Sequence, residues 1–257
     1  MDGRLARIVL CDTSEAVCDG WRRMLTSRCG DLSVSVYHGT LGALLERECG
    51  GSVAVVSPGN SFGFLGGGFD QALCQQLGGE PFETWFRAKL HERYYPVGSA
   101  TAVELGGGFS CGAVRYVVHV PTMVAPCRSV YDRRRCVATG YSRVFDAMWN
   151  ALVSCPADVQ TLVVPGLATG YAGVPSEVAC KSMVFALRVF ALPAKLFSRE
   201  LQNVLIMHFL GCGYGGFFGE RSLRECERWG ISVEALQRFD ASRDSIEDIL
   251  PAVELYV

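Results

Sequence analysis

Two short apolar runs rich in β-branched residues, Ser52–Val56 and Leu162–Val164, each end directly in a glycine-rich loop, and each loop opens onto a helical pattern. This succession of buried strand, glycine turn and helix restricts the fold more than any other feature. Strands that are apolar throughout are buried on both faces, which is the habit of parallel sheets covered by helices. The rest of the chain keeps the alternation. Arg7–Cys11, Leu32–Tyr37, Thr101–Glu104, Tyr116–Val120 and Val204–Phe209 read as further strands. Ser14–Ser27, Leu41–Arg47, Phe69–Leu77, Tyr141–Ser154 and Ser176–Phe190 read as helices, with Asp12, Thr13 or Ser14 available to cap the first. The expectation is an α/β chain with a largely parallel sheet, followed after Gly219 by a charged, helical tail.

Composition narrows the class. The 257 residues are 49% hydrophobic and 19% charged, enough apolar material for a large core. Gly and Pro total 39 residues, but the glycines sit in discrete clusters, which argues against disorder. A formal net charge of −2 gives no electrostatic case for bulk nucleic acid or an anionic membrane. Twelve cysteines occur without a C-x-x-C pair or zinc-site spacing, so free thiols in a reducing compartment, cytosol or nucleus, are expected. Cys11, Cys74 and Cys180 lie in apolar or helical patterns, where cysteine acts as a small hydrophobe. Met1-Asp2-Gly3-Arg4 leads into a strand-like segment with no signal-peptide apolar region. The long uncharged stretches Cys49–Phe69 and Leu201–Gly219 are broken by Gly, Pro or Asn and do not read as membrane spans.

The first loop runs from Ser57 to Asp70 and contains Gly59 and the triplet Gly66-Gly67-Gly68, followed by Phe69. Consecutive glycines let a ligand approach the main chain with no Cβ in the way. At the start of a helix they leave N–H groups that favour phosphate oxygens. The same triplet also serves as a tight strand-to-helix turn. It is neither G-x-G-x-x-G nor a P-loop, since no Walker lysine follows. The second loop, Pro165–Pro175, supplies main-chain donors at Gly166, Ala168, Gly170, Ala172 and Gly173, the Thr169 hydroxyl and the Tyr171 ring; Ser176 can cap the next helix. In open parallel sheets, ligands bind outside the carboxyl ends of the strands, where both loops begin. Together they point to a pyrophosphate cradle.

These segments resemble the macro-domain family. Val56–Ser61 followed by Gly66–Asp70 is similar to its V-N-A-A-N-S…G-G-G-V-D signature, and Tyr116–Val120 to its Y-V-I-H strand. Pro165–Gly170 through Gly173-Val174-Pro175 resembles its P-x-I-S-T-G…G-F-P loop, and Pro96–Ala100 its P-T-G-E-A segment. The wording S-P-G-N-S-F-G-F-L-G-G-G-F-D, with P-F-E-T-W-F-R, P-G-L-A-T-G-Y-A-G-V-P and N-V-L-I-M, looks most like a fungal subgroup described as ADP-ribose 1″-phosphate phosphatases, linked to a by-product of tRNA splicing. The resemblance implies a three-layer α/β/α fold around a mostly parallel mixed sheet. It implies one domain over residues 1–257, with a core of about 33–210, an N-terminal β-α extension 1–32 and a C-terminal extension 211–257.

The resemblance also implies roles. Asn60 would bond the distal ribose and, with Asp70, place an attacking water; Phe209 would stack on adenine. Each has a plainer reading: Asn60 as a loop brace, Asp70 as a first-turn acid complementing the helix dipole, Phe209 as core. Departures from the pattern leave other points open. His38-Gly39-Thr40-Leu41 stands where the family has G-D-I-T, so Thr40 or Asp12 is left to read adenine. Cys74 replaces the histidine of protein-ADP-ribose hydrolases. Ala172 replaces the usual loop-two aromatic, with Tyr171 placed to shield the ribose instead, and His119 reads as a satisfied core residue. The implied activity is removal of the 1″-phosphate of ADP-ribose with no cofactor or metal. The alternatives are a non-catalytic ADP-ribose reader, a hydrolase of ADP-ribosylated or O-acetyl-ADP-ribose substrates, or a protein for another nucleotide. Expected partners are ADP-ribose or its 1″-phosphate, without nucleic acid or membrane, and a monomer is preferred while the oligomeric state stays open.

Overall fold

The structure is a computed structural model that describes residues 5–25, 28–29, 31–47, 51–106 and 108–251. The first half runs β1 (Arg7–Asp12), α1 (Glu15–Met24), β2 (Arg28–Cys29), β3 (Leu32–His38), α2 (Leu41–Arg47), β4 (Val53–Ser57), α3 (Gly68–Gln76) and α4 (Glu80–Lys89). The second half runs β5 (Thr101–Glu104), β6 (Val114–His119), α5 (Ser142–Val153), β7 (Thr161–Val164), α6 (Ser176–Phe190), α7 (Arg199–Phe209), α8 (Glu220–Arg228) and α9 (Val233–Arg238). Thr26 and Ser27, read from the sequence as the end of the first helix, lie outside the described residues, as do Met1–Arg4.

The strands form one sheet in the order β2-β3-β1-β7-β4-β6-β5. Its five central strands are parallel, and only the edges β2 and β5 run antiparallel. Every residue of β4 and β7 is buried, as their unbroken apolar sequences require. Alternate side chains of the strands feed two cores. Ile8, Leu10, Ala54, Val56, Leu162 and Val164 pack under α1, α5 and α6. Val9, Val55, Val117 and Val163 pack under α2, α3 and α4 through Leu44, Leu73, Phe82 and Phe86. This is the expected three-layer α/β/α fold. The N-terminal β1 sits in the middle of the sheet, between β3 and β7.

One expected strand is a helix. Val204–Phe209 reads as a strand because six mostly apolar residues follow one another, but the residues before them complete a different period. Leu201, Val204, Leu205, His208 and Phe209 recur at helical spacing and are all buried, and the Ser198 hydroxyl caps the helix by accepting the Leu201 N–H. Phe209 therefore cannot stack on a ligand at the sheet edge. It is fully buried and lies parallel to Phe185, 4.0 Å between ring centroids. Phe209→Ala is expected to cost about 3–5 kcal/mol of stability, read by denaturant unfolding, and to leave ligand affinity in the folded fraction unchanged. A selective loss of ligand affinity at full stability would restore a contact role.

The tail wraps back onto this core. Leu236, Phe239, Ile246 and Ile249 are buried in it, and α6 holds the wrap from below. Lys181 donates to the carbonyls of Ala241 and Asp244, and Arg188, itself buried, pairs with Glu247. The tail so far without a role thus closes the outer side of α6.

Candidate functional site

A cavity of about 740 Å³ opens at the carboxyl edge of the parallel strands. Each wall is the loop leaving one strand. Asp12 ends β1 and Thr13 follows it, Gly39 and Thr40 follow β3, Gly166 and Ala168–Tyr171 follow β7, and Gly59, Asn60 and Gly66–Asp70 follow β4. Thr122, Met123, Ala125 and Pro126, after β6, complete it. Of the residues singled out in the sequence, Asp12, Thr40, Gly59, Asn60, Gly66, Gly67, Gly68, Phe69, Asp70, Gly166, Ala168, Thr169, Gly170 and Tyr171 all line this cavity. Three do not. Phe209 is in the core, and Ala172 and Gly173 face away: Ala172 is buried, with its carbonyl accepting from Val130 N–H and the Ser129 hydroxyl, and the Ser129 side chain fills the space beside Gly173. Loop two therefore presents only its first half to the cavity, because its second half is pinned to residues 129–130.

The walls carry donors and almost no charge. Among the described residues, Asp12 and Asp70 are the only charged side chains lining the cavity, and no Lys, Arg or His joins them. At the start of α3 the N-cap is Gly67, which has no side chain to cap the helix, so the first-turn N–H groups of Gly68, Phe69 and Asp70 lack an intrahelical acceptor. No heavy atom lies within 4 Å of a Cβ built on Gly66, Gly68 or Gly170, so all three face open space. Across the cavity, Ala168 takes a left-handed conformation, φ 63°, which costs a non-glycine residue about 1 kcal/mol or more. Ala168, Thr169, Gly170 and Tyr171 donate their N–H groups to no atom among the described residues. Tyr171, 65% exposed, reaches over Gly67, where an added Cβ would come within 2.9 Å of its ring. The two loops thus nearly touch above two sets of unpaired main-chain donors.

Asp12 organises one end. Its Oδ1 accepts from Ser14 N–H at 2.8 Å and its Oδ2 from Gly166 N–H at 3.0 Å, joining the turn after β1 to loop two. Gly166 has to be glycine here, since a Cβ would fall 2.6 Å from Asp12 Oδ2. Thr40 caps α2, its Oγ1 accepting the Ala43 N–H. Each carboxylate oxygen has a second lone pair, so Asp12 can still accept from a ligand.

Asp70 organises the other end. It is buried under Gly59, and its Oδ1 accepts the Ser57 hydroxyl at 2.8 Å. Burial pushes its carboxyl up to about 7, against a smaller opposite pull from Ser57. A group poised near neutrality suits proton transfer. Asn60 lines the cavity while bracing its own loop: Nδ2 donates to Phe64 O at 2.7 Å, and Oδ1 accepts from Phe62 and Phe64 N–H. One amide hydrogen remains for a ligand. Cys74 takes no part, since it lies outside the cavity and its thiol donates to Gly79 O at 3.1 Å. His119 is core, as expected, packed edge-on against Phe86 and Tyr95. Neither of its ring nitrogens finds a partner among the described residues, however, and burial pushes it down to about 4, so it is neutral near pH 7.

Sequence reasoning missed the wall after β6 and the rim residues Phe62 and Phe64. The signal for that wall was available: β6 is a parallel strand, so its loop had to emerge at the same edge. Among the described residues no three His, Cys, Asp or Glu side chains gather as a metal site, and no helix is long and apolar enough to cross a membrane. The ten cysteines whose side chains are described form no disulfide among the described residues.

The family model described as a Macro-like domain matches residues 2–256. An uncharacterized protein of Aquifex aeolicus is 34% identical over 137 residues, 53% of this chain and 73% of that one. Among solved structures, the Oceanobacillus iheyensis macrodomain with MES bound aligns at TM-score 0.44 and 17% identity, over 56% of this chain and 71% of that chain. The macrodomain of Mycobacterium tuberculosis DarG aligns at TM-score 0.41 and 15% identity, over 55% and 93%.

Proposed function

The chain belongs to the Macro-like domain family, and from that premise we propose that its cleft binds ADP-ribose and removes the 1″-phosphate from ADP-ribose 1″-phosphate. The observation that carries the binding is the pair of facing donor rows, Gly66–Asp70 and Ala168–Tyr171, in a cavity of about 740 Å³ to which the described residues bring no side-chain cation. A pyrophosphate needs negative charge stabilised from two sides, and here main-chain dipoles stand on both. Adenine would lie toward Asp12 and Thr40, and the distal ribose toward Asn60 and Asp70.

Catalysis rests on Asp70. A carboxylate that titrates near 7 can hold a water by its ionised oxygen and take the proton as the water oxygen attacks phosphorus. The P–O1″ bond breaks, the proton passes to the departing oxygen, and the products are ADP-ribose and inorganic phosphate. Loop amides would stabilise the charge on the transferred group, each preorganised donor supplying roughly 3 kcal/mol. This chemistry uses no metal or cofactor, and the free thiols suit a cytosolic or nuclear protein.

Differential scanning fluorimetry provides the first check. ADP-ribose at about 100 times its Kd should add roughly 2.7 kcal/mol of apparent stability, while NAD and ATP at the same concentration should add much less. Phosphate release from the 1″-phosphate then separates enzyme from reader. Tight binding without release at stoichiometric enzyme would leave a binding protein, and release of ADP-ribose from O-acetyl-ADP-ribose or ADP-ribosylated protein would change the substrate.

A further inference from the structure

The cleft opens at its β6 end onto a surface that the proposed reaction does not use. Phe62 and Phe64, on the rim, are 38% and 46% exposed, and Tyr94, packed edge-on against Phe62 at 5.9 Å, is 53% exposed. The guanidinium of Arg87 lies 3.8 Å above the Phe64 ring centroid and forms no ion pair among the described residues. Arg93 lies over Tyr95 next to them. The loop after β6, joined to loop one by Ser61 N–H bonds to the Met123 and Val124 carbonyls, continues past Pro126 to exposed Arg128 and then to exposed Arg133–Arg135. Residues 87–93 and 124–135 hold seven Lys or Arg against two carboxylates, Glu92 and Asp132, in a chain whose net charge is −2. The cationic character is therefore local, and the whole-chain balance conceals it.

We propose that this surface, formed by Phe62, Phe64, Tyr94, Arg87 and Arg93, is a platform for a short single-stranded nucleic-acid segment lying across the distal-ribose mouth of the cleft. The identification rests on the proposed ADP-ribose site only for what lies inside the cleft. Aromatic rings exposed beside arginines are the elements with which proteins hold single strands: bases stack on the rings and guanidinium groups meet the phosphates. An acidic peptide would use the arginines but leave three aromatic faces in water. A duplex, its bases already stacked, would do the same. The surface therefore selects an unpaired strand, and it extends the substrate class from a free nucleotide toward one whose distal end continues into nucleic acid.

Fluorescence anisotropy with a labelled single-stranded oligonucleotide of about 8 nucleotides tests this, within the span such surfaces cover. The same sequence as a duplex and a polyglutamate peptide of equal charge serve as rivals. The single strand should bind at least about tenfold more tightly than either. Tyr94→Ala and Arg87→Gln should each weaken it about tenfold, and Arg87→Gln should lower the salt slope by about 0.7. Calorimetry with ADP-ribose on the same variants should show an unaltered Kd, since neither side chain lines the cavity. Equal affinity for polyglutamate, no binding of the strand, or indifference to both variants would overturn the platform. If the strand binds as expected while ADP-ribose does not bind wild type at all, the platform stands and the reading of the cleft falls.

Discussion

Asp70→Asn is expected to slow phosphate release by roughly 10²–10⁴-fold while leaving ADP-ribose affinity at pH 6 within about twofold. The replacement keeps the shape of the side chain and an oxygen to accept the Ser57 hydroxyl, so it removes proton transfer and charge but little packing. Two pH effects accompany it. The wild-type carboxyl holds its proton to about pH 7 when folded, whereas its ordinary value is 3.8. A raised acid favours the protonated folded state: stability is full below about pH 4 and falls as pH rises through 7, by up to about 4 kcal/mol. The Asn variant lacks this decline, so its melting temperature should exceed that of wild type at pH 8 by more than it does at pH 5. Ligand affinity should follow the same path, because above pH 7 the wild type offers an ionised carboxylate to an anion and the variant does not. If phosphate release survives in the variant, Asp70 is a structural acid and the attacking water is placed by other groups.

Gly66→Val is expected to weaken ADP-ribose binding by at least about 100-fold, or roughly 2.7 kcal/mol, with the melting temperature nearly unchanged. The two halves of this prediction come from one observation. Nothing lies within 4 Å of a Cβ at Gly66, and its backbone is not left-handed, so the fold tolerates the side chain. The open space it enters is the cavity itself, where it would stand over the donors of Gly67 and Gly68. Calorimetry and scanning calorimetry on the same sample separate the effects. Unimpaired binding would mean that the ligand does not approach the main chain of loop one, and the cradle reading would fail.

How much of this was legible in the sequence depends on how local the cause is. The glycine loops were, because a buried strand, a glycine run and a helix start are adjacent in the chain, and parallel pairing then fixes the edge at which they meet. Asn60 and Asp70 were singled out by the family resemblance of the first loop, and both line the cavity. The protonation of Asp70 was not, since it depends on the packing over Gly59. The bond from Asp12 to Gly166 joins residues 154 apart, and no pattern in either segment announces it. Helix α7 was misread because Val204–Phe209 is apolar at almost every position and helical periodicity appears only when Leu201 is included. Helix α4 escaped because Gly78, Gly79 and Pro81 look like a turn, although Pro is well suited to a first helical turn. Ala172 and Gly173 were assigned to the ligand by loop membership alone, and a partner from residues 129–130 decided otherwise.

The central position of β1 has a consequence in time. This strand precedes the other described strands in the chain, yet one of its two neighbours, β7, pairs with it through Leu10 and Val164 and emerges only after β2 to β6. Until then, an apolar strand destined for the middle of the sheet has one open edge, and the loop closure that completes it is among the longest the fold requires. The Asp12 carboxylate meets Gly166 only after that closure. The cleft is therefore one of the last features to form as the chain folds, and any fragment stable enough to persist earlier would carry the glycine triplet without the wall that faces it.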